Sequence, residues 1–357
     1  MRFIVLMGLL LGGVTLAADE APGATTDIDR AYSDETIRIY TLTLEGRTMS
    51  RQQVEEAEAR LVEHPEDIET RYRLLGFYRG KLNTRMFTAK RPHVLWLIEN
   101  RPDDPLFGTR LIDLKMPLEK ETYIAGAAAF DKQIEAHPEN ARILGNAARF
   151  SVGIDREIVV GMLERARQLE PENPEWPRRM ASVHQIMAFH STKPQIFEMA
   201  YAEWMNAYEL LDADEKLMLL PQLAKTGLNA GRLDEAKAWA VKALDSVEKL
   251  EPRNRHGEAI SVAHTVLGRL ALKRGDLEAA KRHLLASAQT PGSPKLNSIG
   301  PNLQLAHLLA KEGQAETVIE YLQACRVFWN SGRSRIDEWV RILKEGDTPF
   351  FGDNLKL

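Results

Sequence analysis

The chain has 357 residues, of which 27% are charged and 7% aromatic, and its formal net charge is −4. This composition favours a folded protein over a disordered one. An acidic chain with no basic cluster interleaved with aromatic residues argues against nucleic-acid binding. Alanine, leucine and glutamate are abundant and runs of β-branched residues are scarce, so we expect an all-α fold.

Residues 1–18 have the pattern of a cleavable secretory signal peptide. Arg2 provides a positive start, residues 3–14 form an apolar core too short to span a bilayer, and small residues precede Asp19. Cleavage would remove one arginine and no acid, which changes the net charge from −4 to −5. We therefore expect a periplasmic or secreted protein. Membrane contact is expected only if this segment is kept as an anchor.

The next segment, residues 19–48, predicts a tether or an extended arm. Proline, glycine and threonine occur early, and TIRIYTLTLEG at 36–46 alternates weakly, as a short strand or extended arm would. Residues 49–122 predict a degenerate N-terminal repeat, which Ser50 and Gln53 open with a capping box. Its segment 79–121 is interpreted as an insertion or an atypical helix pair. Such a segment either covers the end of a repeat array or has a function.

Residues 123–250 predict several helices separated by short turns. HPEN at 137–140 and EPEN at 170–173 place two helix-ending prolines 33 residues apart. Three tryptophans fall within these helices beside alanine and leucine, which predicts core or inter-repeat packing, with ligand stacking as the alternative: Trp176, Trp204 and Trp239.

A pair of amphipathic helices is clearest at residues 260–288, on either side of Gly275. Small residues, Gly268 and Ala280, stand where the two helices would cross, because only small side chains let backbones approach closely. The same layout recurs around Gly231 and Gly313, which lie 44 residues before and 38 residues after Gly275. A helix pair of this kind buries its apolar faces only against a stacked neighbour.

This layout resembles the tetratricopeptide repeat (TPR), which has a period of roughly 34 residues. The resemblance implies a right-handed α-solenoid of helix-turn-helix repeats, with TPR-like repeats at 123–250 and C-terminal repeats at 251–332. RPHVLWLIENRPDDP at 91–105 together with HPENARILGNAA at 137–148 is similar to exported bacterial repeat proteins. Residues 333–357 predict a capping helix, opened by a capping box at Ser334 and Asp337, and a tail that exposes Phe350 and Phe351 unless they dock.

Motifs that carry catalytic or metal chemistry do not occur. The chain has no His-Glu-x-x-His, no cysteine pair, no glycine-rich phosphate loop and no Gly-x-Ser-x-Gly. The histidines are scattered, and His264 and His283 would meet only by an accident of tertiary structure. We therefore expect no metal and no cofactor. The single cysteine, Cys325, is interpreted as a small core residue rather than a reactive thiol.

The TPR resemblance also implies where a partner binds. In that family the first helix of each pair lines the concave face, and ligand-facing side chains follow its small eighth residue. Here these places form a basic and polar stripe, suited to a carboxylate: Arg142, Arg149, Lys225, Asn229, Arg269, Lys273, His307 and Lys311. The alternative is that lysine and arginine occupy the last helical turn because the helix dipole favours them there.

Three functions are compatible with these patterns. The first is an exported, non-enzymatic TPR scaffold that binds a protein or peptide partner, acidic in character, on its concave face. The second is a cell-envelope enzyme acting on peptidoglycan, with residues 79–121 supplying an acid from Glu99, Glu119 or Glu121. The third is a subunit of an obligate envelope complex that docks through the Phe350-Phe351 tail.

Overall fold

The computed structural model describes residues 34–79, 84–152, 156–188, 194–249 and 256–355. In these ranges all regular secondary structure is helical, which confirms the all-α prediction. The N-terminal half contains α1 Asp34–Arg47, α2 Arg51–Glu63, α3 Ile68–Arg79, α4 Thr84–Asn100, α5 Lys120–Ala136, α6 Ala141–Ser151, α7 Arg156–Leu169 and α8 Glu175–Ala188. The C-terminal half contains α9 Pro194–Leu210, α10 Ala213–Asn229, α11 Leu233–Asp245, α12 His256–Lys273, α13 Leu277–Ala288, α14 Pro294–Ser298, α15 Gln304–Lys311, α16 Ala315–Cys325 and α17 Arg333–Lys344.

Most of the described helices pack against the helix that follows them in the chain. The pairs α6–α7, α8–α9, α10–α11 and α12–α13 are in contact, and each pair also contacts the next. Alternate helices meet as well, since α12 touches both α10 and α15 and α13 touches α16. The buried residues accordingly form several linked clusters along the chain. This packing is consistent with a helical repeat.

The glycine turns inside the pairs α10–α11, α12–α13 and α15–α16 have a left-handed backbone conformation. In the middle pair the amide of Asp276 donates to the carbonyl of Ala271 at 3.0 Å and that of Gly275 donates to Leu272 at 3.0 Å. This is the Schellman motif, and the other two turns have the same two bonds. The φ angles are 82°, 78° and 74° at Gly231, Gly275 and Gly313.

A second kind of turn joins helices in the N-terminal half. In HPED at 64–67, HPEN at 137–140 and EPEN at 170–173, the amide of the fourth residue donates to the carbonyl of the first at 3.1 Å. These turns connect α2 to α3, α5 to α6 and α7 to α8. The predicted capping box is also confirmed, since Ser50 and Gln53 each bond the other's backbone at the start of α2.

Glycine allows the closest helix contacts. A Cβ atom on Gly268 would lie 2.3 Å from a Leu305 methyl carbon and 3.1 Å from the His283 Cβ, which confirms Gly268 as a crossing point. The contact between α1 and α3 is closer still. A Cβ atom on Gly76 would lie 2.0 Å from the carbonyl oxygen of Thr43, so α1 rests directly on the backbone of α3.

The prediction of a strand or extended arm at residues 36–46 was wrong. These residues belong to helix α1, whose Ile39 and Leu42 are buried in one cluster with Tyr72 and Leu75 of α3. Weak alternation of apolar residues is only a local sequence pattern. Packing against α3, where Gly76 leaves room for the backbone of α1, favours the helix over the extended form. Residues 19–33 of the predicted tether lie outside the described residues, as does the predicted signal peptide. No described helix is both long and apolar enough to cross a membrane.

The C-terminal segment differs from its prediction in two details. Helix α17 begins at Arg333, directly after Gly332, and no side chain caps its N-terminus, so the predicted Ser334 capping box does not form. The tail docks through one of its two phenylalanines. Phe351 is 1% exposed, with its ring centroid 5.1 Å from that of Trp339, whereas Phe350 is 81% exposed.

The α1–α3 contact leads to a stability prediction. Gly76→Ala should lower the free energy of unfolding by at least about 2 kcal/mol, because the new methyl group meets backbone that cannot rotate away. The matched control is Gly161→Ala in α7, where a Cβ atom would meet nothing within 4 Å. It should stabilise the protein by about 0.5–1 kcal/mol. Chemical denaturation of both variants measures the difference, and equal effects would contradict the described contact.

A cationic cavity between helices α10, α12 and α14

A cavity of about 270 Å³ is bounded mainly by helices α10, α12 and α14. Four cationic side chains and one carboxylate line it: Arg178, Lys225, Arg269, Lys295 and Glu258. Most of the other wall is apolar and includes Trp204, Met218, Leu219, Pro221, Val262, Val266 and Leu296. We call this space the cationic cavity.

Two of its cations are neutralised by partners. Lys295 Nζ lies 2.7 Å from Glu258 Oε1, and Arg178 NH1 lies 3.6 Å from Glu215 Oε1. All four side chains are at least 38% exposed. Because each of these cations has a carboxylate within 4 Å, the rim carries little uncompensated charge, although exposed pairs of this kind contribute little to stability.

Lys225 is the first of two cations in the cavity that have no carboxylate partner. Its ammonium group makes no hydrogen bond or ion pair to any described residue, and its side chain is partly buried. Burial, and then repulsion by Lys295, lowers the pKa of Lys225 from 10.5 to about 8, although Glu258 opposes the shift. The ammonium group is therefore charged at neutral pH, without a counter-ion in contact.

Arg269 is the second cation in the cavity that has no carboxylate partner among the described residues. Its NH1 donates to Asn229 Oδ1 at 3.1 Å, but its buried Nε has no acceptor among the described residues. Burial lowers the pKa of this guanidinium to about 10, and no carboxylate opposes the shift. The stripe residues Lys225 and Arg269 therefore line this cavity, and Asn229, which is not part of the lining, accepts a hydrogen bond from Arg269.

Trp204 adds a third donor without an acceptor. It is 9% exposed and packs in a core cluster, as predicted for the tryptophans, but it also lines the cavity and its indole Nε1 has no partner. By contrast, the indoles of Trp176 and Trp239 donate to Glu170 and Tyr201. Three donors without acceptors beside an apolar wall suit a ligand that carries an anionic group on an apolar body.

Besides Asn229, the other five residues of the predicted stripe are not among the described residues that line this cavity. Lys273, Lys311 and Arg142 are exposed. Arg149 pairs with Asp113 at 2.5 Å. His307 packs edge-on against Phe351, and burial lowers its pKa. The stripe therefore supplies two residues to the cavity, Lys225 and Arg269. The rest of the site, Trp204 and Lys295 above all, comes from helices that the repeat pattern did not single out.

The three acids considered for an enzyme have different surroundings. Glu119 is buried, and its Oε1 lies 2.7 Å from the equally buried Lys90 Nζ. Glu121 pairs with Arg91 at 2.6 Å, and Glu99 is exposed on α4. Burial lowers the pKa of Lys90 more than the ion pair with Glu119 raises it. Glu119 and Glu121 thus each compensate a cation on α4.

A buried polar cluster connects α2, α3 and α4. His93 Nε2 lies 3.0 Å from Glu58 Oε1, and its Nδ1 lies 3.3 Å from Arg71 NH1. Burial raises the pKa of Glu58, but hydrogen bonds from His93 and Tyr78 bring it below the usual value. Both ring nitrogens of His93 are therefore engaged, and the arrangement is one of structural compensation.

His264 and His283, which were expected to meet only by accident, do meet. Their Nδ1 atoms are 3.0 Å apart, beside the close crossing of α12 and α13 at Gly268. Burial lowers the pKa of both imidazoles. Among the residues that the structure covers, no group of three possible metal ligands occurs. Cys325 is buried as predicted, and burial raises the pKa of its thiol to about 12.

The missing counter-ion of Lys225 leads to a second stability prediction. Lys225→Met should leave the free energy of unfolding unchanged or raise it by about 1–3 kcal/mol at pH 7, because it removes an uncompensated buried cation. The folded-state pKa of about 8 lies below the unfolded value, so this penalty is full below pH 8 and fades towards pH 10.5. The gain should therefore shrink between pH 7 and pH 10.

Urea denaturation at both pH values measures this difference. The matched control is Lys273→Met, which changes an exposed lysine on α12 and should stay within about 0.5 kcal/mol of the wild type. A loss of more than 1 kcal/mol for Lys225→Met would show that the ammonium group has a stabilising partner.

The buried Lys90–Glu119 pair predicts the opposite behaviour. Lys90→Met should cost about 3–5 kcal/mol, because it leaves a buried carboxylate unpaired. Lys90→Met combined with Glu119→Gln should recover most of that loss. Arg91→Met, which breaks the exposed pair with Glu121, should cost less than about 1 kcal/mol. Thermal unfolding of the three variants tests the order, and a double variant as unstable as the single one would contradict it.

A comparison with protein-family models gives no match to this chain, and a comparison with curated proteins gives none either. The described part of the chain is all-helical, and its consecutive helix pairs pack against one another as they do in helical repeats.

Proposed function

We propose that this chain is a non-enzymatic helical-repeat protein that binds an acidic segment of a protein partner at the cationic cavity. The observation that carries the proposal is the pair of cations, Lys225 and Arg269, that lack a carboxylate partner beside an apolar wall. Burying a cation without compensation costs free energy. Such a cost is typical of a binding site whose ligand supplies the missing charge.

We further propose that the helices form a right-handed solenoid of TPR-like repeats, with the cavity on the face made by the first helices. Identical Schellman turns at Gly231, Gly275 and Gly313 support equivalent helix pairs. The contacts of α12 with both α10 and α15 support stacking of their first helices. The proposal of export rests on the signal-like pattern of residues 1–18.

Binding on such a surface would require little ordering of the protein. Lys225 lies on α10 and Arg269 on α12, two helices in direct contact, so the two cations are held by the fold rather than by a loop. Charge-assisted hydrogen bonds to a partner carboxylate are stronger than neutral ones. A preformed site also avoids the entropy cost of ordering side chains on association.

The test is a pull-down from cell-envelope extract with the tagged full-length protein, followed by identification of the captured proteins by mass spectrometry. Lys225→Gln combined with Arg269→Gln should reduce capture of the specific partner at least tenfold, because both charge-assisted contacts are lost. The captured protein should contain an acidic segment whose synthetic peptide competes for binding.

The matched control is Lys273→Gln combined with Lys311→Gln, which removes the same charge from two exposed stripe lysines. Circular dichroism confirms that both double variants are folded. A partner retained by the first double variant and lost from the control would overturn the proposal, since binding would then depend on the exposed helix ends.

A further inference from the structure

We propose that the cationic cavity recognises one carboxylate carried on a compact apolar group, such as an arylalkanoate. This chemistry has two sources, a free acid of that kind or a glutamate side chain flanked by aromatic residues in a partner. The second source rests on the proposed function, whereas the first does not. The inference goes further than the preceding proposal because it specifies the chemical group that enters the cavity.

The donors define the polar end of the ligand. Lys225 Nζ, Arg269 Nε and Trp204 Nε1 have no acceptor among the described residues, and all three side chains line the same cavity. A carboxylate has two oxygens with about four lone-pair positions, so it can accept from all three donors. Asn229 fixes Arg269 through NH1, which limits the positions that the guanidinium group can adopt.

The walls define the apolar end. Trp204, Leu219, Val262 and Leu296 contribute apolar surface around a volume of about 270 Å³. This volume is close to the lower limit of small-molecule pockets, about 300 Å³, and suits a phenyl ring with a short chain better than a length of peptide backbone. The apolar wall also disfavours inorganic phosphate, which is more strongly hydrated than a carboxylate and has no apolar surface to bury.

Glu258 leaves Lys225 and Arg269 as the cations available to a ligand. It is the one carboxylate among the described residues of the lining, and it pairs with Lys295 at 2.7 Å. The lining therefore offers two cations without a carboxylate partner among the described residues. One carboxylate can contact both of them, so we expect a single carboxylate to be sufficient for binding.

Lys225 makes binding depend on pH. Its ammonium group is charged below a pKa of about 8, and a bound anion raises that pKa. Affinity should accordingly be constant between about pH 6 and pH 7, where the ligand carboxylate is ionised, and fall above pH 8, by at most tenfold per pH unit. Lys225→Arg keeps the charge at every accessible pH, so it should bind the same acid with a flatter pH profile.

The experiment is isothermal titration calorimetry of the purified protein with 3-phenylpropanoate. The comparison ligands are 3-phenylpropanamide, which has the same shape without the charge, and inorganic phosphate, which has charge without the apolar body. The acid should bind at least tenfold more tightly than either. Lys225→Gln and Arg269→Gln should each weaken binding about tenfold or more, and Lys273→Gln should not change it.

Titration with two peptides distinguishes a free acid from a glutamate side chain of a partner as the ligand. Acetyl-Phe-Glu-Phe-amide and its glutamine counterpart are titrated under the same conditions, and the glutamate form should be favoured if a partner side chain is the source. Binding of the free acid alone assigns the cavity to a small molecule. Either pattern supports the proposal when Lys225→Gln abolishes the preference for charge.

Three results would overturn this inference. They are equal affinity for 3-phenylpropanoate and its amide, unchanged binding in both Lys225→Gln and Arg269→Gln, and no binding of any carboxylate probe. Failure of the proposed function gives a different pattern, in which the acid binds as described but envelope extract yields no partner that depends on Lys225 and Arg269. A partner captured through these residues, together with no binding of any carboxylate probe, would remove only the present inference.

Discussion

The close approach of helices at positions without a side chain is the constraint on which the rest of this structure depends. Gly76 lets α1 lie on the backbone of α3, and Gly268 lets α13 and α15 close on α12. The apolar residues on these helices share buried clusters only because the backbones come this near. The outer apolar faces of such a closely packed helix pair are buried against the neighbouring pairs. This accounts for the succession of linked clusters along the chain.

Such a succession leaves spaces between neighbouring pairs, and the cationic cavity is one of them. Helices α10 and α12 come from successive pairs, and the short helix α14 lies beside α12. Their contact surfaces are not fully filled, so Lys225 and Arg269 lie next to apolar side chains and are only partly exposed to water. Burial then lowers the pKa of both groups. The same desolvation strengthens any charge-assisted bond that a ligand makes there.

Other buried charged groups in the described chain have partners within the protein. Lys90 has Glu119 at 2.7 Å, and Arg71 lies beside His93 and Glu58 while its guanidinium stacks over Trp96 at 3.8 Å. In these clusters the protein compensates its own charges, and removing one partner leaves the other exposed to a low dielectric. Lys225 has no such partner among the described residues. This contrast with Lys90 and Arg71 is the basis of our proposal that Lys225 binds a ligand.

The sequence by itself determined the all-α fold, the helix-ending glycine turns at Gly231, Gly275 and Gly313, the capping box at Ser50 and the burial of Cys325, because helical periodicity and left-handed glycine are local properties. It also singled out Lys225 and Arg269, though only within a longer stripe. The helix at residues 34–47, the meeting of His264 with His283, and the addition of Trp204 and Lys295 to the cavity were decided by tertiary structure. These features depend on which helix faces meet across long stretches of chain, and local pattern carries no information about that.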